Sequence, residues 1–170
     1  VADPDCRLSR LPLLTEGERE RMAAWSGAGE AFPVADALHA RFEARAVARP
    51  EALAVTCEGE TLTYGELNAR ANRLAHHLRA LGVKPDARVG ICVERSAEMV
   101  IGLVGILKAG GAYVPLDAGY PVDRLSNMLE DSAPPVLLTP PPQPATAAAL
   151  SAGSAIPVLD LAGDEAWADH

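Results

Sequence analysis

Three charged residues are the best candidates in this sequence for ligand binding or acid–base chemistry. Glu94 and Arg95 follow one predicted strand, and Asp117 follows another. The carboxyl ends of strands are where α/β sheets place their ligand sites. A carboxylate or guanidinium at such a point can also simply cap a turn or form a local ion pair, and this interpretation is favoured for each of the three. Carboxylates alone specify no reaction.

Residues 108–111 (KAGG) have the composition of a phosphate-binding loop but the wrong order of elements. A loop that cradles phosphate follows a strand and opens a helix, whose first amides then face the anion. Here a predicted helix leads into Gly110 and Gly111, and a strand follows. The pattern therefore predicts a helix end, with glycines that need a positive φ or a close backbone approach. No GxxxxGK[ST], GxGxxG or GxSxG motif occurs anywhere in the sequence.

The histidines and cysteines predict packing rather than metal binding or nucleophilic chemistry. His76 and His77 are adjacent in a predicted helix, whereas a zinc pair needs histidines four residues apart and a third ligand. We expect His76 to face solvent and His77 to flank the buried side of the helix. Cys57 lies beside a predicted hairpin turn and Cys92 on a predicted buried strand, and neither has a base nearby in sequence. With Cys6 they are widely spaced and form no CxxC pair, which indicates a reducing compartment.

The elements that would position these residues alternate between strand and helix after residue 50. The spacing of Leu38, Phe42 and Ala46 predicts a helix that Pro50 ends. Glu58 and Gly59 predict a hairpin turn. In chain order, the further predictions are strands at 53–56 and 61–63, a helix from 64 to 81, a strand at 88–93, a helix from 97 to 109, a strand at 112–116, a helix from 121 to 129, and strands at 136–138 and 156–161.

Two of these helices carry clear boundary signals. Thr63 and Glu66 form a capping box, and Gly82 closes the same helix. Its predicted buried stripe consists of Leu67, Ala71, Leu74, Leu78 and Leu81. The helix at 97–109 is capped by Ser96 and apolar on nearly every face, so we expect it to be buried. Because the strands show little polar alternation, the fold class is predicted to be α/β, with a mostly parallel sheet flanked by helices.

Composition excludes several classes of function. The chain is 49% hydrophobic with a formal net charge of −8, and its Lys and Arg residues form no cluster, which argues against nucleic-acid binding. The longest apolar stretch, at 99–107, is half the length of a membrane span. The first 30 residues look like a connector with one short helix, opened by a capping box at Thr15 and Glu18. Residues 139–155, rich in Pro and Ala, are predicted to be an exposed loop.

Two motifs closely resemble the first two core motifs of the adenylation domains of nonribosomal peptide synthetases. They are residues 62–74 (LTYGELNARANRL) and residues 107–117 (LKAGGAYVPLD), and their separation matches as well. Residues 120–132 resemble the helix that follows in that family, and residues 11–15 (LPLLT) resemble the connector from an upstream condensation domain. The family usually has a proline after the aspartate that corresponds to Asp117, whereas this chain has Ala118 and Gly119.

The resemblance implies a division of the chain and an activity for the complete protein. Residues 1–30 would be the condensation-to-adenylation connector, and residues 31–170 the incomplete N-terminal part of the large adenylation subdomain. The complete cytoplasmic enzyme would use ATP and Mg²⁺ to convert an amino acid to its aminoacyl-adenylate. It would then pass the acyl group to the phosphopantetheine thiol of a carrier domain. The implied partners are the rest of the adenylation domain, the upstream condensation domain and the downstream carrier domain, with no nucleic acid and no membrane.

The resemblance also places the chemistry outside this sequence. The next family motif, a Ser/Thr/Gly-rich loop that wraps the ATP phosphates, would begin just beyond His170. We therefore predict no catalytic, cofactor-binding or metal-binding residue within 1–170, and no activity of this chain alone. Two alternatives stay open: an acyl-CoA ligase of the same superfamily, and a non-catalytic interaction module, either split or degenerate.

Overall fold

The computed structural model describes residues 14–27, 37–140, 156–161 and Trp167. Contacts divide the chain into two compact units, Val1–Ala35 and Asp36–His170. Most of the predicted loop at 139–155, and the predicted connector apart from residues 14–27, lie outside the described residues.

The first unit contains one helix, α1 (Glu16–Ser26). Its predicted capping box is confirmed, because the Glu18 carboxylate accepts a hydrogen bond of 2.8 Å from the backbone amide of Thr15. Gly27 ends the helix with a φ of 63°. No residue of α1 is buried, and Trp25 is 81% exposed.

The second unit begins with a helix, an antiparallel hairpin and a second helix: α2 (Leu38–Ala48), β1 (Leu53–Cys57), β2 (Glu60–Thr63) and α3 (Tyr64–Ala80). The remaining elements alternate: β3 (Arg88–Ile91), α4 (Ala97–Ala109), β4 (Ala112–Pro115), α5 (Val122–Ser132), β5 (Leu137–Thr139) and β6 (Val158–Asp160). The strands β3 to β6 form a parallel sheet in the order β4-β3-β5-β6. The predicted parallel α/β sheet is confirmed.

Turn and cap residues act as the sequence predicts. Glu58 and Gly59 both have positive φ, 48° and 89°, which is the backbone of the favoured two-residue hairpin turn. The capping box of α3 is formed: Thr63 Oγ1 accepts from the Glu66 amide at 3.2 Å, and the Glu66 carboxylate accepts from the Thr63 amide at 2.8 Å.

The sheet has an apolar core on each face. Side chains alternate along β5, so Leu138 joins the core beneath α3 and α4 while Leu137 joins the core beneath α5. The buried Trp167 belongs to the first core, where its indole Nε1 donates to the Asp160 carbonyl oxygen at 3.5 Å. Helices therefore cover both faces of the sheet.

Helix α4 lies between the sheet and α3, and none of its residues is exposed. Two glycines allow this. A Cβ at Gly102 would lie 2.8 Å from Cδ1 of Ile91 on the sheet, and a Cβ at Gly105 would lie 2.7 Å from Cδ2 of Leu74 on α3. The absence of side chains at these positions sets how closely α4 approaches both neighbours.

Several predicted boundaries differ from the structure by one to three residues, and the differences at α3, α5 and β3 are described here. Leu81 is 40% exposed, because α3 ends in a Schellman motif in which the Val83 amide bonds the Leu78 carbonyl and Val83 takes the buried position instead. Pro121 precedes α5 rather than lying in its first turn, and α5 runs on to Ser132. The strand predicted at 88–93 ends at Ile91, where its pairing with β4 ends.

The contact between α4 and α3 can be tested by Gly105→Val. The added side chain has no room beside Leu74, so we expect a loss of about 1–3 kcal/mol in the free energy of unfolding. Urea unfolding followed by circular dichroism would measure it. The matched control is Gly17→Val on α1, where nothing lies within 4 Å of an added Cβ. Equal unfolding midpoints for Gly105→Val and the unmodified chain would contradict the close packing.

Candidate functional site

A cleft of about 570 Å³ opens at the carboxyl ends of β3 and β4, and all three charged candidates line it. Glu94, Arg95 and Asp117 are exposed on its rim. Its apolar wall includes Ile91, Met99, Leu103 and Leu116. Sequence reasoning placed these three residues at strand ends, and the structure brings them to one cleft.

Parallel pairing explains why the two loops meet. The register places Ile91 opposite Pro115, and the Leu116 amide donates to the Ile91 carbonyl at 2.9 Å. Both strands end there, so the chain leaves the sheet at adjacent points. The first loop turns back at Ser96, whose Oγ accepts from the Met99 amide at 3.2 Å and begins α4.

Asp117 has the local role that the sequence favoured. Its Oδ1 accepts a hydrogen bond of 2.9 Å from the Gly119 amide, and its carbonyl accepts one of 2.9 Å from the Tyr120 amide. The carboxylate therefore stabilises the turn that leads to α5. Glu94 and Arg95 differ, because neither side chain forms a hydrogen bond or ion pair with another residue that the structure describes.

Lys108 does not face the cleft. Its ammonium group binds the Glu43 carboxylate of α2, donates to Asn72 Oδ1 of α3 at 2.7 Å, and lies 5.8 Å from the centre of the Phe42 ring. Only 4% of the side chain is exposed. A cation so enclosed is not available to a phosphate.

The two glycines after Lys108 end α4, as predicted, each for a different reason. Gly110 has a φ of 88°, a conformation that side chains disfavour. A Cβ at Gly111 would lie 3.0 Å from the Ala87 carbonyl oxygen and 3.1 Å from Val83 Cγ1. The amides of Gly110 and Gly111 bond the Leu107 and Ile106 carbonyls, which is again a Schellman motif.

The remaining candidates occupy the predicted environments. His76 is exposed and His77 half-buried on α3. Cys92 is buried at the end of β3, and burial raises the pKa of its thiol above the ordinary value, with a further increase from the Asp117 carboxylate. Cys57 is half-buried, and its Sγ donates to the Arg95 carbonyl at 3.6 Å. Across the described ranges, no group of three or more His, Cys, Asp and Glu side chains could hold a metal ion.

Sequence reasoning missed the partners of Lys108 and the buried Trp167. A single lysine near the end of a largely apolar helix was a usable signal for an internal ion pair, since an enclosed charge requires a counterion. The Arg73 guanidinium lies 5.8 Å from the Trp167 ring centre. No pattern in the neighbouring sequence indicated that contact.

A parallel sheet with helices on both faces and a cleft at the strand carboxyl ends is the arrangement of α/β proteins that bind ligands at this edge of the sheet. The family model described as "AMP-binding enzyme" matches residues 42–168. The chain belongs to this family.

Two curated relatives are named as synthases. Chondramide synthase cmdD of Chondromyces crocatus is 48% identical over 143 residues, which is 82% of this chain and 4% of the relative. Tyrocidine synthase 3 of Brevibacillus parabrevis is 48% identical over 140 residues, 82% of this chain and 2% of the relative. The chain thus spans only a few per cent of the length of these relatives.

Solved structures agree with the fold. A crystal structure of the nonribosomal peptide synthetase FmoA3 bound to α-methyl-L-serine-AMP has a TM-score of 0.72 and 35% identity, covering 86% of this chain and 16% of that one. A putative long-chain-fatty-acid CoA ligase of Rhodopseudomonas palustris has a TM-score of 0.67 at 24% identity, covering 74% of this chain and 32% of that one. At that identity the second likeness shows the fold alone.

The helix-end role of Gly110 predicts the effect of Gly110→Val. A β-branched residue at a φ of 88° is strained, so we expect a loss of about 1–3 kcal/mol in stability. In a longer polypeptide with enzymatic activity, the soluble yield should fall while activity per folded molecule stays near normal. Gly110→Asn is the control, because asparagine tolerates this conformation. A normal yield with abolished activity would show instead that Gly110 serves the reaction.

The raised pKa of Cys92 predicts slow alkylation. A smaller thiolate fraction and burial should make Cys92 react with iodoacetamide at least about tenfold more slowly than Cys57 at pH 8. Its rate should continue to rise at pH values where an ordinary thiol is already ionised. Peptide mapping by mass spectrometry separates these cysteines from Cys6. Equal rates for Cys57 and Cys92 in the native protein would contradict the buried environment.

Proposed function

We propose that this chain forms the first part of an amino-acid-activating adenylation domain in a nonribosomal peptide synthetase. The observation that carries the proposal is the identity of 48% to each of two peptide synthases over more than four-fifths of the chain. The solved neighbour with α-methyl-L-serine-AMP shows an aminoacyl-adenylate in a protein of the same fold.

Fold alone does not select this function over acyl-CoA ligation. The putative fatty-acid CoA ligase shares the architecture with a TM-score of 0.67. The difference lies in sequence identity, 24% for that ligase against 35% for the peptide synthetase structure. Amino acids are therefore the proposed substrate class.

In the proposed reaction, a carboxylate oxygen of the amino acid attacks the α-phosphorus of ATP. The bond to the bridging oxygen breaks and pyrophosphate leaves, giving the aminoacyl-adenylate. Mg²⁺, when bound, would neutralise negative charge on the triphosphate. A phosphopantetheine thiol of a carrier domain would then accept the acyl group and release AMP.

The described residues support a scaffold role for this chain within that reaction. Stabilising a developing phosphoryl charge requires cations and amides aimed at it. Lys108 is committed to Glu43 and Asn72, and Gly110 and Gly111 lie at a helix carboxyl end. We therefore assign phosphate binding and catalysis to segments outside residues 1–170.

The proposed domain division rests on the family resemblance of residues 11–15 and of the two motifs at 62–74 and 107–117. Residues 1–30 would connect to an upstream condensation domain, and residues 31–170 would begin the large adenylation subdomain. A carrier domain would follow the adenylation domain. Within the described residues no helix is long and apolar enough to cross a bilayer. The free thiols of Cys57 and Cys92 support a cytoplasmic location.

Exchange of radiolabelled pyrophosphate into ATP tests this proposal. We expect no amino-acid-dependent exchange from residues 1–170, because the segments proposed to hold the triphosphate and the carboxylate in line lie outside them. A polypeptide extended through a complete adenylation domain should show exchange with one preferred amino acid.

The controls separate the alternatives. Fatty acids offered with coenzyme A to the extended polypeptide test the acyl-CoA ligase, and activity there without amino-acid-dependent exchange would replace the proposal. An extended polypeptide that folds but stays inactive with every acid would favour a non-catalytic module. Micromolar ATP binding by residues 1–170, measured by calorimetry, would contradict the scaffold role.

A further inference from the structure

Helix α2 is the least buried helix of the second unit. Its only buried residue is Ala46, whereas Leu38 is 70% exposed and Val47 is 80% exposed. The neighbouring helix α3 buries Leu67, Ala71, Leu74, Ala75 and Leu78. The apolar attachment of α2 is therefore limited to Ala46 and to Phe42, which is partly buried against the first core.

Charged and aromatic contacts supply the rest of the attachment of α2, and they are made to Tyr64 and Lys108. The Phe42 and Tyr64 ring centres are 5.9 Å apart, and the Arg45 guanidinium lies 5.8 Å from the Tyr64 ring centre. The third contact is the ion pair of Glu43 with Lys108. Tyr64 begins α3 and Lys108 lies in the last turn of α4, so α2 is attached to both helices.

The ion pair is the decisive contact because Lys108 is enclosed. Only 4% of its side chain is exposed, while the Glu43 side chain is 46% exposed. Glu43 is the one carboxylate within salt-bridge distance of Lys108 among the residues that the structure describes, and Asn72 supplies only a neutral oxygen. Removing one member of such a pair leaves an uncompensated charge, whereas separating the whole helix lets both ions regain water.

We propose that α2 is a releasable helix that detaches from α3 and α4 while the sheet and its two cores stay folded. The strength of the Glu43–Lys108 ion pair determines the fraction of molecules in which α2 is detached. An 11-residue helix is marginal in water alone, so the released segment melts. Its length then increases from about 16 Å to as much as about 36 Å. Release thereby adds roughly 20 Å to the reach of the chain that precedes β1, a conformational device that does not depend on the proposed reaction.

Hydrogen–deuterium exchange with mass spectrometry tests the proposal, in this chain or in a longer polypeptide that contains it. Peptides from 38–48 should exchange faster than those from 64–80 and 97–109 at concentrations of denaturant too low for global unfolding. Glu43→Gln should accelerate exchange in 38–48 about tenfold or more and leave β3 and α4 unchanged.

Two further variants separate the effect of the Glu43–Lys108 ion pair from the general effect of removing a surface charge. Glu60→Gln removes an exposed ion pair with Arg70, whose atoms are 3.9 Å apart, and should leave exchange in 38–48 unchanged. In a Lys108→Met background, Glu43→Gln should have no further effect. If Lys108→Met does not fold, the comparison of Glu43→Gln with Glu60→Gln still decides. Exchange in 38–48 that occurs only with global unfolding, or an equal increase in all helices, would overturn the proposal.

Discussion

The close packing of α4 between the sheet and α3 is the constraint on which the rest of the second unit depends. A helix with no exposed residue must present a small surface wherever it meets another element, and Gly102 and Gly105 provide it on two sides. The same burial leaves Lys108 without water at the end of the helix, so α2 and α3 must supply its partners. It also requires an abrupt return to the sheet, which Gly110 and Gly111 allow.

The segment at 107–117 is therefore informative about the family through its packing. Three of its distinctive residues have a structural explanation: Lys108 pairs with Glu43, Gly110 has a positive φ, and Asp117 closes the next turn. A motif can be specific to a family because burying one helix next to a parallel strand has few solutions. The cleft beside this motif lies at the sheet edge where α/β proteins bind ligands. Of the charged residues that line the cleft, Glu94 and Arg95 form no hydrogen bond or ion pair through their side chains with another described residue.

Sequence reasoning succeeded where structure is set by residues a few positions apart. The capping box of Thr63 and Glu66, the hairpin turn at Glu58 and Gly59, and the alternation that gave the parallel sheet are all of this kind. It failed where tertiary packing decides which residue is buried or which residue pairs with a charge. Leu81 continued a perfect helical stripe, yet Val83 fills the core because the chain turns at Gly82. The partner of Lys108 lies 65 positions away, and only the packing of α2 on α4 identifies it.

The two motifs that carry the family resemblance meet physically at α2. Tyr64 belongs to the first motif and Lys108 to the second, and both lie within 6 Å of the Phe42 ring, at distances of 5.9 Å and 5.8 Å. The match to the AMP-binding family model also begins at residue 42. Helix α2, in which that match begins, is the helix of the second unit with the fewest buried residues. Both ions of its ion pair regain water when they separate, whereas apolar side chains gain nothing from exposure, so we expect the attachment of α2 to be the most labile contact of the second unit.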